Sequence, residues 1–256
     1  MILCLDVGNS HVFGGVVEGD NILLRFRYAS HQIGTSDQYG LFLRSVLREN
    51  SLDPDALTQI AICSVVPELD YSITSACIKY FNITPFMVKP GIRTGLQLKV
   101  KNTQELGADR ITNAIASCER HPNCHKVIID FGTATTFCAV TKDKVYLGGV
   151  IMPGLNIGMQ SLATHAAKLA SVEITKSEQC LGRTTKESIQ SGLFYGQLGA
   201  ARTVIECLTR EVFSSETPKV IATGGFAHLF SDHNLYDVME NDLVLHGLAF
   251  AWRMNQ

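Results

Sequence analysis

No part of this chain concentrates charge of one sign. Its 22 basic and 24 acidic residues leave a net charge of −2. Lys and Arg are scattered, so the basic stripe that marks a nucleic-acid-binding surface is missing. Long apolar runs are missing too. The longest uncharged window, 145–167, is broken by Gly148, Gly149, Pro153, Gly154, Asn156, Gly158 and Gln160, which make it strand, turn and helix start instead of a membrane span. The first apolar run has no basic residues ahead of it, is interrupted by Asp6 and precedes no small-residue cleavage site. The expectation is a cytoplasmic protein with neither nucleic acid nor membrane as partner. CxxC pairs are absent among the eight cysteines, Cys4, Cys63, Cys77, Cys118, Cys124, Cys138, Cys180 and Cys207. Most lie in apolar runs and are expected to be reduced, buried thiols; a metal site around Cys118, Cys124 and His125 is the alternative. Several catalytic signatures are also lacking: Walker A, the kinase Gly-rich loop, HRD, HExxH and GxSxG. Gly14-Gly15 lacks the spacing of a dinucleotide fingerprint.

What the chain does contain is a repeat. ILCLDVGNSHVFGGVVEGD (2–20) and VIIDFGTATTFCAVTKD (127–143) each read as an apolar run, Asp-x-Gly, a small polar residue, and a second apolar run closing on a polar turn. Asp6 and Gly8 map onto Asp130 and Gly132, and Phe13 onto Phe137. The two copies lie about half a chain apart in 256 residues, a length for one large or two medium domains. Two similar halves are expected, each turning an Asp and a Gly turn toward a shared cleft. Predicted strands at 2–7, 11–18 and 21–29, a helix at 37–49, a strand at 59–65, a helix at 69–81 and a strand at 84–88 form the first half. Strands at 126–131, 134–141 and 144–151, a helix from 155, a long helix at 186–213, a strand at 219–222, a helix at 225–230, a strand near 243–244 and a terminal helix form the second. Alternating strands and helices imply mixed α/β layers. The boundary is placed near the helix 108–120, giving domains 1–112 and 113–256.

Four elements carry chemistry. Asp6-Val7-Gly8-Asn9-Ser10 puts an Asp at a strand end before a Gly turn, whose backbone N–H groups make an anion-binding concavity. The Asp suits a hydrated divalent cation, since Mg²⁺ keeps waters and takes one or two carboxylates. Asp130-Phe131-Gly132-Thr133 repeats the arrangement. Thr223-Gly224-Gly225 follows a strand, and its glycines permit close approach of a flat ligand such as adenosine, or make an ordinary tight turn. Gly107-Ala108-Asp109-Arg110 opens a helix. Asp109 and Arg110 are either a capping pair, or a base for a substrate hydroxyl beside a guanidinium for an anion. Phosphoryl transfer needs little more than such positioning and charge. The uncharged segment 188–201, apolar around most of its circumference, is a core helix or one whose second face, with Gly192, Gly196 and Gly199, meets another subunit.

Together these residues resemble the type III pantothenate kinases. The matching strings run in order along the chain: DVGNS (6–10), SVVP (64–67), PGIRTGL (90–96), ELGADR (105–110), DFGTATT (130–136), GGVIMPG (148–154), LGRTT (181–185), SG (191–192), TGG (223–225) and LVLHGL (243–248). GADR and DFGTATT are the most specific. The resemblance implies an α/β fold of two duplicated actin-like (ribonuclease H-like) domains with a nucleotide cleft between them, and ATP-dependent phosphorylation of pantothenate. It implies Asp109 as the base and Gly107, Ala108, Asp109 and Arg110 as the pantothenate-binding stretch. Asp6, Val7, Gly8, Asn9, Ser10, His11, Val12 and Phe13 would hold the ATP phosphates, with Asp6 near Mg²⁺. Thr133, Gly224 and Gly225 would contact ATP, and Asp130 would bind K⁺ or NH₄⁺. Thr185 would reach substrate across a homodimer, which favours the interface reading of 188–201. The chain departs from the family where a Tyr and a Pro are common before the base: here they are Val100, among the substrate-binding positions, and Thr103. Ser10 stands for the usual Thr. The alternatives are an actin-fold kinase for another small alcohol, and a non-catalytic nucleotide-binding regulator.

Overall fold

The strand β1 (Ile2–Val7) is buried at every position except its Asp. Leu3, Leu5 and Val7 enter one core and Ile2 and Cys4 another, as the two-residue period of a strand requires. Both faces are covered by helices, so the run is apolar apart from Asp6. The computed structural model describes residues 1–214 and 216–256. They form two compact units, 1–96 with 101–120 and 242–256, and 97–100 with 121–241.

In the first unit β2 (His11–Glu18) and β3 (Asn21–Ala29) run antiparallel to their predecessors. A turn through Gly19 at φ 59° joins them. The helix α1 (Ser36–Glu49) opens on a capping box of Thr35 and Gln38, which satisfies two orphan N–H groups. β4 (Gln59–Ser64) lies parallel to β1. Pro67 starts α2 (Pro67–Phe81), and Asn82 ends it in the left-handed conformation, both usual devices. A two-residue β5 (Phe86–Met87) completes the order β3-β2-β1-β4-β5. Tyr39, Leu43 and Leu47 of α1 and Ile73 and Cys77 of α2 pack on the Leu3–Leu5 face. The opposite face is covered by α3 (Ala108–Arg120) and the C-terminal helix (Leu243–Met254), through Ile111, Ile115, Val244, Leu245 and Leu248.

This second cover explains two differences from the sequence expectations. A cut between residues 112 and 113 would divide α3, whose whole length belongs with the first unit, as does the C-terminal helix. Without both helices, Ile2, Cys4, Phe13 and Cys63 would face water. The strand expected near 243–244 is instead the start of the C-terminal helix, where Leu243 to Ala249 are buried without a break. A run apolar on every side has no period to separate helix from strand. Where this helix crosses α3, a Cβ on Gly247 would lie 2.1 Å from the Thr112 carbonyl oxygen. Gly247→Ala gains about 1 kcal/mol of helix propensity, yet the contact is with backbone and overpacking costs about 1–3 kcal/mol. The expected outcome is a net loss of stability, read as a lower Tm.

The second unit comprises β6 (Gln97–Leu98), β7 (Lys126–Phe131), β8 (Ala134–Val140), β9 (Val145–Pro153), β10 (Lys219–Thr223) and β11 (Val238–Met239), in the order β11-β10-β7-β8-β9-β6. Read as β9-β8-β7-β10-β11, with antiparallel β7/β8 and β8/β9 and parallel β7/β10 and β10/β11, it repeats the first sheet. The expected duplication is therefore present, with β6 added in parallel to β9. The helices are α4 (Leu155–His165) and α5 (Thr185–Val212), the latter opening on a capping box of Thr184 and Glu187. Val127, Ile129 and Phe131 pack with Phe194, Leu198 and Phe230. The helix expected at 225–230 is a 3-10 segment, Ala227–His233, and the strand at 84–88 shrinks to β5. Among the described residues no helix is long and apolar enough to cross a membrane.

Candidate active site

In the first unit, the chemistry gathers where β1 ends. Asp6 is the penultimate residue of β1, and register sets it beside Phe13 of β2 and Cys63 of β4. The Cys63 thiol donates to Asp6 Oδ1 at 3.3 Å. The following turn is fixed by backbone and by one hydroxyl. Gly8 N–H donates to His11 O at 3.1 Å and Ser30 N–H to Ser10 O at 3.0 Å, while Ser30 Oγ donates to Gly8 O at 2.5 Å. Asn9, Ser10 and His11 are exposed, as a turn that receives an anion requires. Val7 and Val12 are in one core and Phe13 in the other, and the Arg27 guanidinium lies 4.5 Å from the Phe13 ring. These three have only backbone to offer a ligand.

Asp109 is the second residue of α3. Its Oδ1 accepts the Arg110 N–H at 2.8 Å. A Cβ on Gly107 would lie 2.5 Å from that oxygen, so glycine here lets the carboxylate fold back over the helix start. Burial pushes the Asp109 pKa above the ordinary carboxylate value, against the opposing pull of Arg110 and of backbone N–H groups. Capping is thus part of its environment, but desolvation dominates it. Burial also holds the Cys63 thiol well above its usual range, and the charges of Asp6 and Asp109 push it the same way. Both carboxylates therefore act on one sulfur. The Thr112 hydroxyl, one turn on in α3, donates to Ala108 O at 2.7 Å. Sequence reading missed Cys63 and Ser30. The SVVP string begins one residue after Cys63, but nothing in it reveals the β1/β4 register.

The second unit builds a different turn on the same plan. Asp130, penultimate in β7, is opposite Thr223 of β10 in register. Gly132 N–H donates to Ala134 O at 3.1 Å and Gly154 N–H to Thr133 O at 3.2 Å. Gly224, at φ 90°, comes so close that a Cβ would lie 2.4 Å from Asp130 Oδ1 and 2.6 Å from the Phe131 backbone. Gly225 has nothing within 4 Å of that point and is exposed. The two glycines therefore divide the work: Gly224 permits backbone packing against Asp130, and Gly225 leaves room for a ligand. Gly154 was missed as a site neighbour, although a Cβ there would lie 2.5 Å from Gly132 O. Val100 is half-buried, 3.9 Å from where a Gly148 Cβ would sit. Thr185, the exposed first residue of α5, lines an apolar cavity of about 620 Å³ with Pro153, Ile157, Leu162, Gly192 and Leu193. A Cβ on Gly192, Gly196 or Gly199 would meet nothing within 4 Å.

The donor sets differ in the ions they suit. Among the described residues no group of three His, Cys, Asp or Glu forms a metal cluster, and Cys118, Cys124 and His125 make none. The Asp6 carboxylate, beside an exposed turn, fits Mg²⁺, which is held largely by waters and phosphates. Asp130 with the carbonyls of its turn is an oxygen-only set of the kind that replaces the hydration of K⁺. All eight cysteines are free, and five of them are buried, as expected.

Comparison with known proteins bears on this arrangement. The family description of type III pantothenate kinase matches residues 2–207. A type III pantothenate kinase of Legionella pneumophila (strain Corby) is 54% identical over 255 residues, covering 100% of this chain and 99% of that protein. A type III pantothenate kinase 1 of Francisella tularensis subsp. holarctica is 48% identical, with all of both chains covered. Among solved structures, a Campylobacter jejuni protein described in the Baf family of transcriptional activators aligns with TM-score 0.60 at 18% identity, over 99% of this chain and 98% of that one. A ROK hexokinase of Thermus thermophilus aligns with TM-score 0.51 at 13% identity, over 98% and 97%. At those identities the two structures speak to fold alone.

Proposed function

The chain belongs to the type III pantothenate kinase family, and we propose that Asp109 is the general base with which it phosphorylates pantothenate. The two-domain α/β fold is actin-like, ATP is the phosphoryl donor, and the product, 4′-phosphopantothenate, opens coenzyme A biosynthesis. The observation that supports Asp109 is its half-buried carboxylate at the start of α3, whose desolvation raises its pKa and makes it a stronger base than an exposed carboxylate. The pantothenate hydroxyl gives its proton to Asp109 as its oxygen attacks the γ-phosphorus. The bond from that phosphorus to the bridging oxygen breaks, and ADP leaves with the electron pair. Arg110 pairs with the substrate carboxylate, and Gly107 and Ala108 supply close backbone.

The turn from Asp6 to Phe13 receives the ATP phosphates through its backbone and the side chains of Asn9, Ser10 and His11. When bound beside Asp6, Mg²⁺ neutralises phosphate charge. Asp130 holds a monovalent cation, K⁺ or NH₄⁺, while Thr133 and the open Gly225 contact ATP, with Gly224 setting the approach. ADP release with pantothenate, in K⁺ against Na⁺ buffer, tests this reading. Turnover that requires pantothenate and K⁺ is expected. No pantothenate-dependent turnover in K⁺ overturns the assignment, and equal rates in Na⁺ overturn the role given to Asp130.

The protein works in the cytoplasm as a homodimer joined through the open glycine face of α5, from which Thr185 reaches the partner's substrate. The apolar cavity beside Thr185 and the exposed Ile157 and Leu162 support that face. Light scattering is expected to give twice the 28.0 kDa chain mass, and Gly196→Glu to halve it. A wild-type monomer at working concentration contradicts the dimer.

A further inference from the structure

We propose that Cys63 is a positioning residue, a buried thiol that orients the Asp6 carboxylate. The inference rests on the assignment of Asp6 to the phosphate side.

The sulfur joins two neighbouring strands. Cys63 lies on β4 in parallel register with Asp6, which brings the two side chains side by side on the face of the sheet covered by α3. Its S–H donates to Asp6 Oδ1 at 3.3 Å. Cys63 is fully buried, so no water can substitute for its thiol. A thiol is a weak donor, but it holds one carboxylate oxygen in place. Partners that orient a metal-binding carboxylate in this way contribute to affinity without touching the metal. Nothing about this role requires the sulfur to react or ionise.

The test compares Cys63→Ala and Cys63→Val, which remove the donor, with Cys63→Ser, which keeps one; Asp6→Asn serves as control. Two readouts are taken: calorimetric binding of ADP as Mg²⁺ is varied, and steady-state kinetics. For the Ala and Val variants, the Mg²⁺ needed for half-maximal ADP binding is expected to rise about 10-fold, the low end for such outer partners. The pantothenate KM should stay within about twofold of wild type, a split that simple loss of packing would not give. Cys63→Ser is expected to restore most of the Mg²⁺ response. Either donor-less variant suffices if the other does not fold. If Asp6→Asn shifts the Mg²⁺ response but neither donor-less variant does, the inference about Cys63 is overturned alone. It is also overturned if Cys63→Ser is as impaired as the donor-less variants. If Asp6→Asn leaves the response unchanged, the assignment of Asp6 itself falls.

Discussion

Asp109→Asn is expected to lower kcat by about 10²–10⁴-fold, the range that a positioned general base contributes, without lowering the Tm at neutral pH. The second half of this expectation comes from the direction of the pKa shift. Burial raises the Asp109 pKa in the folded protein, so the native state holds this proton more tightly than the unfolded chain does. Stability from the group is fully present below the unfolded value and is lost as pH rises through the native one. Where the carboxylate is ionised in both states, folding carries the desolvation penalty. Asparagine keeps an oxygen acceptor for the Arg110 N–H and removes the charge, so the variant should melt at or above the wild type. Any gain should shrink as pH falls through the raised native pKa. Thermal melts of the two proteins across the acidic range check this. A variant that loses activity only because it unfolds would make Asp109 a structural cap.

Gly224→Ala is expected to be the most damaging single methyl group in the second unit. At φ 90° a side chain is strained, and the new Cβ would meet the Phe131 backbone at 2.6 Å and Asp130 Oδ1 at 2.4 Å. Backbone of a central strand cannot move aside as a flexible side chain can. The destabilisation should be on the order of 3 kcal/mol, combining strain and overpacking, or a Tm lower by roughly 10 °C for a chain of this size. The K⁺ response should weaken with it, because the displaced group is Asp130. Gly225→Ala next door makes the contrast. Its Cβ would meet nothing within 4 Å, so stability should stay within about 0.5 kcal/mol while the KM for ATP rises. Paired melts and ATP titrations distinguish the two positions. Equal effects at both would contradict the separate roles given to them.

The sequence made these glycines visible as a pair but could not rank them. Their difference lies in what the neighbouring strand places opposite each one. The strands 2–7, 11–18 and 21–29 were legible to the residue, because two-sided burial leaves the first two nearly continuous apolar runs, one-sided burial makes the third alternate, and Gly8–Ser10 and Gly19–Asp20 separate them. The duplicated Asp-x-Gly turns were legible for the same reason. The C-terminal helix was not: its start, Leu243–Val244, is apolar on every side because it lies against both α3 and the first sheet. Nor could the chain reveal that this helix returns to the first unit, a consequence of the face of β1 left uncovered by α1 and α2. Cys63 illustrates the remaining gap. As a residue type it reads as a buried thiol, and it is one; its bond to Asp6 depends on strand register across more than fifty positions.

The most direct measurement is a single-turnover assay of γ-phosphate transfer from labelled ATP to pantothenate, run for wild type and Asp109→Asn at saturating substrates, with pantothenate binding measured in parallel. The expected result is rapid formation of 4′-phosphopantothenate by the wild type. Asp109→Asn should bind pantothenate within a few-fold of wild type yet transfer phosphate about 10²–10⁴-fold more slowly. Transfer at an undiminished rate by the folded Asp109→Asn variant would contradict Asp109 as the base.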